Sequence, residues 1–116
     1  MMLDPDKEVA IQRFDFDSNL FKEFQHSHYA KEFWPLVYIL SDGKIKEAYV
    51  GETTDAYARM NSHLRNEHKQ RLTAVHLITS EKFNKSATLD IESNLIKYLS
   101  ADGQYKLLNA NLGLTN

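Results

Sequence analysis

The chain has 116 residues, of which 42% are hydrophobic and 26% charged, enough for one domain with one modest core. It has no cysteine and a formal net charge of -2. This excludes a disulfide framework, a thiolate metal site and the strongly basic surface of a free-standing DNA-binding domain. No apolar run reaches the length of a membrane span and nothing reads as a signal peptide, so a cytoplasmic protein with no membrane partner is expected.

In chain order, residues 1–16 carry charges of both signs without a period and read as an arm or short irregular element. From Asp17 to about Tyr29, Leu20, Phe21 and Phe24 recur at helical spacing, with Asp17 or Ser18 as the cap. His26 and His28 are two residues apart and fall on different helix faces, which argues against a shared metal. Trp34-Pro35 stops the helix, since the residue before proline avoids the α region. Residues 1–33 thus read as an arm and helix packed on a unit spanning 34–116, a single domain overall.

Leu36 to Leu40 is strand-like, Asp42-Gly43 is a hairpin signal, and Ile45 to Gly51 is the returning strand. A two-residue turn would pair Tyr38 with Glu47 and Leu36 with Tyr49. Tyr38 and Tyr49 then lie on one face as diagonal neighbours, with Val37, Ile39, Ala48 and Val50 on the other. Thr53, Thr54 and Asp55 are cap types for a helix whose apolar stripe is Ala56, Tyr57, Met60 and Leu64. Arg59 and His63 sit one turn apart on its flank. Arg65 to Arg71 reads as loop or a fraying end, and Thr73 to Thr79 as a third strand. A long helix starts at Asn84 or Ser86 and ends with Gly103 at the C′ position. Tyr105 to Leu108 is a short apolar segment. The order predicts an α/β (α+β) layer domain, a small three-stranded antiparallel sheet flanked by helices.

On the long helix, Leu89, Leu95, Ile96 and Leu99 form a stripe, and Glu92 lies within it. A carboxylate there needs a partner, because burying an unpaired charge is costly. Each candidate group also has an ordinary role. Strand tyrosines commonly pack with a wet hydroxyl. Arg59 on a flank would be solvated, Glu92 would bond a buried arginine or amides, and a late asparagine would serve a turn.

Taken together, Leu36-Val37-Tyr38, then Tyr49-Val50-Gly51 after ten intervening residues, then Arg59, His63 and Glu92 resemble the GIY-YIG nuclease family. The likeness runs from about Trp34 to Asn111. It departs from the family at the Gly and Ile of the first tripeptide, here Leu36 and Val37, and at Val50 for Ile. Gly51-Glu52-Thr53-Thr54, Phe83-Asn84-Lys85-Ser86-Ala87 and Ser100-Ala101-Asp102-Gly103 are similar to a GIY-YIG domain found ahead of a C-terminal ATPase or helicase-like module. The resemblance implies hydrolysis of DNA phosphodiesters with Mg²⁺ or Mn²⁺ held by Glu92. It implies Tyr38, helped by Tyr49, as activator of water, Arg59 as phosphate ligand, and His63 as proton relay or phosphate ligand. Gly51, Asn109 (or Asn111) and Lys85 would line the substrate. The acidic balance stands against this, since phosphate contacts dominate DNA affinity. The basic residues cluster only as Lys69 with Arg71 and Lys82 with Lys85. The alternative is the same fold as a nucleic-acid or protein docking module with weak or no cleavage.

Overall fold

The computed structural model describes residues 9–109. The chain forms β1 (Ala10–Asp15), α1 (Leu20–Phe24), α2 (His28–Lys31), β2 (Leu36–Asp42), β3 (Glu47–Thr53), α3 (Ala56–Leu64), β4 (Ala74–Thr79), α4 (Lys85–Asp102) and β5 (Lys106–Leu107). One sheet has the order β1-β4-β2-β3-β5, antiparallel except where β5 runs parallel to β3. The mixed α/β class is as expected, but the sheet has five strands rather than three.

Both extra strands lie at the edges, where the sequence pattern is weakest. In β1 only Phe14 is buried, while Gln12, Arg13 and Asp15 face water, as is common for a charged edge strand. The expected irregular arm is therefore strand over Ala10–Asp15. Its residues 1–8, like Asn111, lie outside the described part. β5 is only two residues long, too short to show a period.

The expected helix from Asp17 to Tyr29 is two helices. Asn19 stands at the first N-cap without a side-chain cap bond, while Asp17 Oδ1 accepts from the Asn19 amide. The second starts afresh at Ser27, whose Oγ accepts from the Ala30 amide at 3.4 Å and donates to Gln12 Oε1 at 2.9 Å. The caps Asp55 and Asn84 are as expected, each accepting from the amide three residues on. Gly103 ends α4 with φ of 71°, a left-handed conformation that suits glycine.

The hairpin turn is longer than two residues. Asp42 pairs with Glu47, Leu40 with Tyr49 and Tyr38 with Gly51, so each partner moves by four positions. Asp42 causes this. Its Oδ1 accepts from the Lys44 and Ile45 amides and its Oδ2 from the Thr73 hydroxyl, and Lys46 completes the turn at φ of 57°. A shift of four keeps parity, so Tyr38 and Tyr49 still share a face as diagonal neighbours.

That parity divides the core in two. On the tyrosine face, Leu36, Tyr38, Leu40, Tyr49, Val75 and Leu77 pack against Leu20, Phe24, Ala56 and Met60. On the opposite face, Val37, Ala48 and Val50 pack against Ile91, Leu95, Ile96 and Leu99 of α4. Leu36 and Val37 are both fully buried, one on each side. The bulk that departs from the family's Gly-Ile therefore fills core.

Candidate active site

Tyr38 is fully buried, and its hydroxyl lies 2.7 Å from His63 Nε2. Register puts the phenol directly over Gly51. A Cβ at Gly51 would overlap the Tyr38 hydroxyl, Cζ and Cε1. The glycine is thus the seat of the Tyr38 ring, a role that alternation along paired strands specifies. Tyr49 lies beside it with ring centroids 6.3 Å apart, and the His63 ring touches both phenols.

Helix α3 explains the rest of this cluster. Ala56 and Met60 face the core, and one turn past Arg59 the helix carries His63 inward as well. Arg59 remains exposed at the rim, its guanidinium against both phenols. Burial raises the Tyr38 phenol well above its ordinary value, and the Arg59 charge only partly offsets this. Tyr49 is raised for the same reason. Burial, then the charges of Lys69 and Arg59, push His63 down to about 4. The resting site therefore pairs a protonated phenol with a neutral imidazole.

Glu92 reaches this region from the opposite layer. β5 pairs with β3 at Glu47 and Ala48. The Glu92 charge acts on both Tyr38 and Tyr49. Leu89 is 44% exposed, so the inward stripe of α4 starts at Thr88 and Ile91 rather than Leu89. Glu92 is half-buried at its margin, one turn after Thr88. No hydrogen bond or ion pair holds its carboxylate among the described residues, and the buried salt bridge that its position suggested does not form. Burial, then repulsion from Glu52, raise its proton affinity above the ordinary carboxylate range, despite Lys85 and Arg59.

The described residues contain no group of three His, Asp or Glu side chains arranged around one point. The donor set is instead Glu92 with Glu52 as neighbour. One orphaned, partly desolvated carboxylate fits Mg²⁺, a hard cation that keeps several waters and takes few protein ligands.

The remaining expected site residues are engaged with the protein. Lys85 Nζ bonds both Glu52 carboxylate oxygens, at 2.7 and 2.8 Å, and Thr88 Oγ1 donates to Glu52 Oε1 at 3.4 Å. Asn109 Oδ1 accepts from the Val50 amide at 2.8 Å and its Nδ2 donates to the Val50 carbonyl at 2.7 Å. It therefore continues the β3 edge in place of a strand. Glu52 was legible from alternation, which puts it opposite Gly51. Lys69 was legible only as part of a charge cluster. That cluster separates, with Arg71 paired to Glu47 and Lys69 Nζ standing 4.2 Å from the centre of the Tyr49 ring.

No curated protein and no solved structure matches the chain. The family model described as the GIY-YIG catalytic domain matches residues 35–106, from the residue before β2 into β5 and more than half of the chain. It spans both tyrosines, Arg59, His63 and Glu92, and the chain belongs to this family, whose activity is in general of the nuclease type.

Proposed function

We propose that the protein is a metal-dependent endonuclease domain that hydrolyses DNA phosphodiesters. The observation that carries this reading is the convergence of two phenols, an arginine and a neutral histidine on one side of the β3 edge with an unpartnered carboxylate on the other. Glu92 would hold Mg²⁺ or Mn²⁺, and the ion would supply positive charge for the phosphate and the leaving oxygen. Arg59 binds non-bridging oxygens with its planar fork.

Tyr38 takes the proton of the attacking water as its own proton passes to His63 Nε2, the imidazole carrying its resting proton on Nδ1. The 2.7 Å bond between the two groups supports that path. Arg59 is among the charges that lower His63. A phosphate that neutralises Arg59 therefore makes His63 a better proton acceptor when substrate arrives. Tyr49 orients the water. Gly51 acts through Tyr38, and Asn109 by holding the β3 edge. Lys85 reaches substrate only by leaving Glu52.

The segments that resemble domains placed ahead of an ATPase or helicase-like module support a role within a larger, cytoplasmic DNA-processing protein. No described helix is long and apolar enough to cross a membrane. Nicking of supercoiled plasmid with Mg²⁺ tests the relay. Tyr38→Phe should lower the rate by about 10²–10⁴-fold, the usual worth of a positioned acid–base group. Tyr38→Phe at the native rate would refute the assignment.

A further inference from the structure

We infer that Lys69 is a second phosphate-binding residue, holding a non-bridging oxygen beside the phosphate that Arg59 engages; this rests on the nuclease reading. The loop after α3 is built to present it. Asn66 Oδ1 accepts from the His68 and Lys69 amides, the Lys69 amide also donates to the Asn66 carbonyl, and the Lys69 carbonyl accepts from Leu72. Leu72 is almost fully buried and anchors the turn on the core.

The side chain is held over the Tyr49 ring face while Arg59 lies at the hydroxyl. Several other cations are engaged. Lys85 is bonded to Glu52, Arg71 to Glu47, and Arg13 to Asp15, and Lys46 lies over Tyr105. Lys69 and Arg59 have no carboxylate partner among the described residues. The two share one neighbourhood, since burial first and Arg59 second lower the Lys69 ammonium. Two like charges held close to one another repel, and an anion between them relieves that repulsion. This local pair answers the objection from net charge, because affinity follows the cations that meet phosphate rather than the sum over the chain.

The experiment has two readouts. The first is duplex DNA binding in EDTA across a salt series, comparing native protein, Lys69→Met, Lys69→Arg and the exposed Lys97→Met as control. Removing one phosphate contact should flatten the slope of log K against log salt by about 0.9, a loss of about eightfold at 0.1 M relative to 1 M. Lys69→Arg should restore the slope and Lys97→Met should leave it unchanged. The second is titration of inorganic phosphate followed by the Tyr49 ring resonances, which should shift in native protein and not in Lys69→Met. A merely structural lysine would leave the slope unchanged, and an unchanged slope with equal phosphate shifts in both proteins overturns the inference. Plasmid nicking read in parallel separates the two claims. Phosphate shifts lost in Lys69→Met without nicking would uphold Lys69 and sink the nuclease reading. Nicking with an unaltered slope would do the reverse.

Discussion

Burial and Arg59 act in opposite senses on Tyr38, and burial dominates. The phenol is therefore poised by its neighbours rather than ionised at rest. His63 shows the same desolvation with a consequence for stability. Its folded pKa of about 4 lies below the ordinary 6.5, so the unfolded chain binds the proton more readily. Stability is complete above pH 6.5 and falls as pH drops towards 4, by roughly 3 kcal/mol from this one group. Urea midpoints at pH 7 and 4.5 should show that loss, and His63→Gln should remove most of it. An equal loss in the variant would place the effect elsewhere, for example on His76, which shifts in the same direction. Gly51→Ala is a second test. The added methyl must displace the Tyr38 phenol or the strand beneath it, at about 1–3 kcal/mol, and nicking should fall with it. An unchanged melting temperature and rate would show that the ring is not seated there.

At the scale of elements, the hairpin explains both what the sequence disclosed and what it concealed. Alternation put Tyr38 and Tyr49 on one face, and this survived an incorrect turn length because the shift was even. The turn itself was hidden because Asp42 acts through its carboxylate as well as its backbone. Caps were readable at Asp55 and Asn84, where one side chain decides the helix start. The break at Ser27 was not, because Ser27 is bound to Gln12 in β1, a contact between distant segments. β5 was invisible because two residues show no period, and beyond it Asn109 continues the edge through a side-chain amide. Asn109→Ala should cost about 1–3 kcal/mol for two lost bonds to the Val50 main chain. A chemical melt reads this directly, and no change would mean that water replaces the amide.

Across the whole molecule, the site lies where two layers meet across the sheet. Tyr38 and Tyr49 come from the sheet face that packs on α3, Arg59 and His63 come from α3 itself, and Glu92 comes from α4 on the other face. Their residue types and order were visible in the sequence. That Glu92 is unpartnered, and that Lys69 stands over Tyr49, depend on tertiary packing and were not. The aromatic contacts of Phe24 with Phe14, Phe21 and Tyr57 join β1 and α1 to α3. Phe24→Ala should therefore destabilise the entire domain by about 3–5 kcal/mol, observed as a single shifted transition. A separate early transition would show that the N-terminal elements melt alone. Under the proposed function, Glu92 is left without a protein partner because it holds a cation. This central claim is tested most directly by nicking of supercoiled plasmid with Mg²⁺ titrated against native protein and Glu92→Ala, both checked for fold by circular dichroism. Native protein should nick in saturable dependence on Mg²⁺, with no cleavage by the folded variant. Equal nicking by Glu92→Ala would contradict the account.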